Sequence, residues 1–142
     1  MKELFSLGKL YPSDFLKPDE QPRCEPVELK LMLDDDGRVR LSETAPKEAM
    51  YGKYWYRSSV TNSMKAELKD IVDSILRIMR FKRKNKLFCD IASNDGTLLS
   101  YVPKDFIRIG IDPVDNSYYE EARCYADLII QDYFSADVYK KC

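Results

Sequence analysis

The chain has 142 residues, with 23 basic and 24 acidic side chains, a formal net charge of −1 and no histidine. That balance speaks against a general nucleic-acid binder, and the missing imidazole excludes every mechanism that needs a histidine base or ligand from within these residues. Charged residues make up 33% and apolar residues 44%, a globular composition; no apolar run approaches the roughly 20 residues that span a bilayer, and Met1-Lys2-Glu3 opens no signal peptide.

Residues 1–57 read as a small β-rich module with a thin core. They hold Pro12, Pro18, Pro22, Pro26 and Pro46. Strand-like pieces at Val27–Leu33 and Arg38–Leu41 flank Asp34-Asp35-Asp36-Gly37, and Asp-Gly is a strong hairpin signal. From Asn62 to about Arg80, the residues Met64, Leu68, Ile71, Val72, Ile75, Leu76 and Met79 follow the three-four spacing of one buried helix face. Ser59, Thr61 or Asn62 caps that helix. The run Lys82-Arg83-Lys84-Asn85-Lys86 reads as a solvated helix-to-strand connection, the simpler alternative to a phosphate contact.

Residues 58–142 read as an α/β unit. The run from Lys86 to Cys89 is a buried strand, followed by Asp90-Ile91-Ala92-Ser93-Asn94-Asp95-Gly96 as a tight loop. A short helix then runs from Thr97 to Val102 and stops at Pro103. A second strand, Ile107–Ile111, ends in Asp112-Pro113. Asp112 lies close to the roughly 20-residue offset at which nucleotide-binding α/β folds place a carboxylate for a ribose hydroxyl. Asn116 to Cys124 reads as a helix capped by Asn116 or Ser117, and Ala126 to Ile130 as a third strand. This order predicts half of a doubly wound sheet, about three parallel strands with helices, with ligand at their carboxyl ends. Cys24, Cys89, Cys124 and Cys142 form no CxxC pair, so a reduced cytoplasmic protein is the expected setting.

Asp90 through Leu99, together with Gly110-Ile111-Asp112-Pro113, resembles the first two motifs of class I S-adenosylmethionine-dependent methyltransferases. The fuller likeness is to sugar C-methyltransferases, and Ser93-Asn94-Asp95-Gly96-Thr97-Leu98-Leu99 is its most specific part. Leu7-Gly8, Pro12-Ser13-Asp14-Phe15, Thr44-Ala45-Pro46, Met50-Tyr51-Gly52 and Tyr54-Trp55-Tyr56-Arg57-Ser58 are similar to that family's amino-terminal module. The resemblance implies a partial Rossmann-like sheet, S-adenosyl-L-methionine as methyl donor, and a small-molecule acceptor such as a nucleotide-sugar. The intact enzyme would deprotonate a carbon next to a carbonyl and methylate it there.

Residue by residue, the resemblance implies that Asp90 organises the loop amides or meets the donor's charged amino-acid end, against plain helix capping. It implies that Ala92, Ser93, Asn94 and Gly96 bring backbone close to the donor, against an ordinary turn. Asp112 would accept both ribose hydroxyls, since a carboxylate suits a vicinal diol, against an Asp-Pro turn starter. Asp132 and Tyr133 would meet the adenine amino group and face, against a loop carboxylate and a packing ring. Tyr56 and Ser58, with Tyr54 and Arg57, would fold over the donor pocket.

Three departures shape these expectations. The family's amino-terminal module binds zinc through paired CxxC motifs, but Leu33 and Asp34-Asp35-Asp36 stand where the second pair belongs. No metal site is expected, because a closed zinc site needs about four ligands; the hairpin would rely on Tyr51, Tyr54, Trp55 and Tyr56 as plugs. Ala92 replaces the motif's first glycine, which fits if its φ stays negative. The family's sheet has seven strands, so the chain reads as an amino-terminal part interrupted mid-helix near Asp137–Cys142, with the proton-removing residues further along. No catalytic base is assigned. The alternatives are a non-catalytic interaction module, forming oligomers through an exposed sheet edge, and half of a dinucleotide-dependent oxidoreductase. The latter is disfavoured because Ala92 and Asn94 replace two pyrophosphate-loop glycines.

Overall fold

The computed structural model describes residues 1–12, 16–51, 55–79 and 86–142. Ser13, Asp14 and Phe15, Gly52 and Tyr54, and the basic run before Lys86 lie outside the described residues, as does the expected helix end at Arg80. The architecture is mixed α/β, with one antiparallel and one parallel three-stranded sheet. Each sheet lies in its own compact unit, Met1–Lys53 and Tyr54–Cys142, so Trp55, Tyr56 and Arg57 belong with the second unit. Among the described residues no helix is long and apolar enough to cross a membrane.

In the first unit, strands β1 (Lys2–Leu10), β2 (Val27–Leu33) and β3 (Val39–Leu41) lie in the order β1-β2-β3. The Asp-Gly hairpin forms as its sequence predicts. The Asp34 amide donates to the Arg38 carbonyl at 2.8 Å, and Gly37 takes φ +85, a conformation most side chains resist. β1 has no counterpart in the sequence reading. Register shifts between Glu3 and Phe5 and between Ser6 and Lys9 break its alternation, which is the signal a strand is read from. Leu4, Phe5, Leu7 and Leu10 are exposed, and none of the unit's described residues is fully buried. Helix α1 (Lys47–Tyr51) closes the unit, with Tyr51 46% exposed rather than a plug; Trp55 is likewise 51% exposed.

The second unit opens with α2 (Asn62–Ile78), where the Thr61 hydroxyl accepts the Met64 amide. Of the expected apolar face, Val72 is fully buried, while Ile71 and Met79 are exposed. Strands β4 (Lys86–Ile91), β5 (Phe106–Ile111) and β6 (Leu128–Ile130) pair in parallel in the order β4-β5-β6. On one sheet face Phe106 packs with Val72, Leu99 and Val102, joined by Leu76, Phe88 and Ile129. On the other, Ile109 and Ile111 pack with Val138 of α4 (Ala136–Tyr139), joined by Cys89 and Ile130. Each fully buried aliphatic side chain contributes about 1.5–3 kcal/mol.

Four local expectations change. β4 is an edge strand with Leu87 and Ile91 about half exposed, not a buried one, because α4 covers only part of its face. The helix expected at Thr97–Val102 is a single 3-10 turn, Leu99–Tyr101, since Val102 is already extended ahead of Pro103. Asp115, not Asn116 or Ser117, caps α3 (Asn116–Ala122), its carboxylate accepting the Ser117 amide at 2.9 Å. β6 starts at Leu128 because the Asp127 carboxylate takes the Arg108 amide at 2.8 Å in place of a strand partner.

Candidate functional site

The site is built where β4 ends, the loop 92–97 turns, and β5 ends beside it. Asp90 pairs with Gly110 and Ile91 with Ile111 in parallel register, so Asp90 and Asp112 both lie near the carboxyl ends of their adjacent strands. Both Ala92 and Ser93 donate their amides to the Ile111 carbonyl, at 2.9 and 3.3 Å, and this pair of hydrogen bonds to one acceptor accompanies the sharp turn. Ala92 takes φ +64, against the expectation of a negative value, and Asn94 and Gly96 take φ +51 and +76. Asn tolerates this region and glycine favours it, whereas alanine is strained there.

Three further loop amides are also occupied. Asn94 donates to Asp112 Oδ2 at 2.8 Å, Gly96 to the Ser93 carbonyl at 2.9 Å, and Thr97 to Asp95 Oδ1 at 3.1 Å. Gly96 is required twice over. Besides its positive φ, a Cβ there would lie 2.8 Å from the Ala122 Cα of α3. Gly110 lies under the loop, where a Cβ would come within 2.7 Å of Ser93 Oγ. Ser93 itself is buried, and its hydroxyl has no hydrogen-bond partner among the described residues.

A strap from Tyr56 to Ser59 is tied to this loop by side chains. Asn94 accepts the Ser58 amide at 3.0 Å and donates to the Tyr56 carbonyl at 3.0 Å, while Asp95 accepts the Ser59 amide at 2.9 Å. Arg57 stacks 4.1 Å over the Tyr118 ring, donates to Ser117 Oγ at 2.9 Å and pairs with Glu121, anchoring the strap to α3. The sequence reading did not single out Asp95, which is 1% exposed and organises both strap and loop. Its signal is the Asp95-Gly96-Thr97 spacing, an Asx turn in which the Thr97 hydroxyl and amide both reach the carboxylate.

The carboxylates of Asp90, Asp95 and Asp112 are in different electrostatic states. The Asp90 carboxylate receives no hydrogen bond among the described residues; burial, and then the charge of Asp112, push its pKa up to about 7. Burial also raises Asp112, opposed by the amides of Asn94 and Val114. Burial would raise Asp95 too, but the Thr97 and Ser59 hydrogen bonds prevail and hold it below the ordinary carboxylate range. Asp112 bridges Asn94 and Val114 with separate oxygens, so it performs the turn-starting role, with further lone pairs on each oxygen available for a ligand.

The structure brings Tyr56, Ser58, Asp90, Ala92, Ser93, Asn94, Gly96 and Asp112 to this loop. Asp132 and Tyr133 follow β6 on the far side of β5. The Asp132 carboxylate accepts the Tyr133 amide at 2.8 Å and lies 3.8 Å from Lys141 Nζ. Gln131, which the sequence reading passed over, is the link from β6 to this region, donating to the Val114 carbonyl at 2.6 Å. Among the described residues no three acidic or thiol side chains gather in the manner of a metal site. Comparison with protein-family models and with curated proteins finds no match to this chain.

Proposed function

We propose that the second unit is the donor-binding part of an S-adenosyl-L-methionine-dependent methyltransferase, with a Rossmann-like sheet that takes its ligand at the carboxyl ends of the strands. One observation carries this reading: the loop's amides at 92, 93, 94, 96 and 97 already have protein acceptors, while the Asp90 carboxylate has no donor among the described residues. A pyrophosphate loop works the other way, offering free amides to an anion. This site suits a ligand that is cationic and rich in hydrogen-bond donors, and it disfavours a dinucleotide.

The residues present fit that donor. Asp90 would face its ammonium group, Asp112 the ribose hydroxyls through unused lone pairs, and the partnerless Ser93 hydroxyl a further polar atom. The donor supplies an electrophilic methyl group on a sulfonium; the chain's own residues bind, orient and exclude water. The likeness of Ser93–Leu99 to sugar C-methyltransferases points to a nucleotide-linked sugar as acceptor. The free thiols fit a reducing, cytoplasmic setting.

The test is a calorimetric titration of S-adenosylhomocysteine, with a nicotinamide dinucleotide in parallel. Saturable heat with the first alone is expected, weakened about tenfold or more in Asp112→Asn, since a hydrogen bond to a charged group contributes about 1.5–3 kcal/mol. No heat from a cooperatively melting chain would overturn the reading. The second reading, a non-catalytic interaction module, has its own support in the self-bonded loop and the unpaired edge of β4. It predicts a folded chain with no donor heat and a concentration-dependent mass.

A further inference from the structure

Arg57 lies in the middle of the strap, and three contacts of its guanidinium fall on α3. It stacks 4.1 Å over the ring of Tyr118, a residue only 4% exposed, donates to Ser117 Oγ at 2.9 Å and pairs with Glu121. An exposed arginine pair contributes little. A planar fork that stacks on a ring and bonds two further side chains instead fixes the chain that carries it. Ser117 in turn donates its hydroxyl to Asp115 Oδ1 at 2.6 Å, the same oxygen that caps α3. The residue before Asp115, Val114, donates its amide to Asp112 Oδ1 at 3.0 Å. Asp112 Oδ2 accepts the Asn94 amide, and the Asn94 side chain holds Ser58 and Tyr56 on either side of Arg57. The links close on themselves, from strap to loop to Asp112 to α3, and back to the strap through Arg57. All of them lie within the second unit.

We propose that Arg57 is a positioning residue for the donor site, holding Asp112 so that the unused lone pairs of both its oxygens face the donor's ribose diol. The proposal rests on the donor-binding reading above. The guanidinium acts at a distance, through Asn94 on one Asp112 oxygen and through Ser117 and Asp115 on the segment that bonds the other. Without it the strap keeps its ties to Asn94 and Asp95 but loses its hold on α3, and the Asp112 carboxylate gains freedom to turn. Asp112 then remains charged and present, but donor binding has to supply the ordering that Arg57 otherwise provides.

Amide exchange followed by NMR and calorimetric titration of S-adenosylhomocysteine, both on the full chain, test this. In Arg57→Gln, exchange at the Ser58 amide and at the Asn94 amide, whose acceptor is Asp112, should accelerate about fivefold or more, with exchange in α2 unchanged. S-adenosylhomocysteine should bind about fivefold more weakly. In an Asp112→Asn background the same substitution should change affinity by less than about twofold, since the group it positions is already altered. A merely structural role costs the same in both backgrounds. Arg57→Lys keeps the charge beside Glu121 without the planar fork. It should fold like the parent and show the same non-additive pattern to a smaller degree, which keeps the test open where Arg57→Gln does not fold. Additive losses, unchanged exchange at Asn94, or acceleration shared equally by α2 overturns the proposal. A parent chain that gives no heat overturns the donor reading instead, and exchange at Asn94 then decides by itself whether Arg57 holds Asp112.

Discussion

Ala92 holds a backbone conformation that costs an L-residue about 1–2 kcal/mol, at a φ of +64. Ala92→Gly relieves that strain and gives back part of it as unfolded-state entropy. The expected net gain is about 0.5–1 kcal/mol in urea unfolding; an unchanged or lower midpoint would show that the loop does not hold this angle. Gly96→Ala runs the other way, combining positive φ with a 2.8 Å approach to Ala122, and should lose about 2 kcal/mol or more. Asp90 links pH to both stability and binding. Its folded pKa of about 7 exceeds the ordinary value of about 3.9. The unfolded chain therefore releases this proton first, and stability falls as pH rises from about 4 to 7, by up to about 1.4 kcal/mol per unit. Asp90→Asn should flatten that slope. Binding of the cationic donor has the opposite sense, weakening as pH falls through 7 and Asp90 loses its charge. Parallel slopes for stability and affinity would count against Asp90 as the ammonium partner.

At the scale of elements, the strap and the loop form one device joined by two side chains. Asn94 serves three bonds, to Ser58, Tyr56 and Asp112. Asn94→Ala removes the two made by its side chain, each contributing about 0.5–1.5 kcal/mol, and takes away a residue that tolerates positive φ. Hydrogen exchange at the Ser58 amide should speed up markedly while exchange within α2 stays unchanged. Equal acceleration throughout would mean global loss of stability instead. The elements also divide by how plainly the residues announce them. α2 follows from apolar spacing and β5 from the alternation of Ile107, Ile109 and Ile111, both local patterns. β1 carries no such local pattern because two register shifts break its alternation. The turn at Leu99–Tyr101 is shorter than its sequence predicts because Pro103 holds Val102 extended.

For the whole molecule, both buried clusters lie in the second unit, and every residue assigned to the donor lies there too. A chain of residues 54–142 should therefore bind S-adenosylhomocysteine with the dissociation constant of the full chain. A large loss would mean that the first unit takes part in donor binding. The first unit pairs its strands without burying any described residue, as a small unit with little interior does.

The strand–loop–strand frame, the carboxylates at its two strand ends and the amphipathic α2 were determined by the sequence itself, because each rests on residues a few positions apart. Tertiary structure alone decided that the loop's amides at 92, 93, 94, 96 and 97 are occupied, that Asp95 ties down the strap, and that the Asp90 carboxylate receives no hydrogen bond among the described residues. Those outcomes join residues 56–59 to 94 and 95, and residue 94 to 112. The burial that raises Asp90 exists only in the folded chain. Local pattern places a carboxylate at the end of a strand; desolvation and its neighbours set its charge and the partner it seeks.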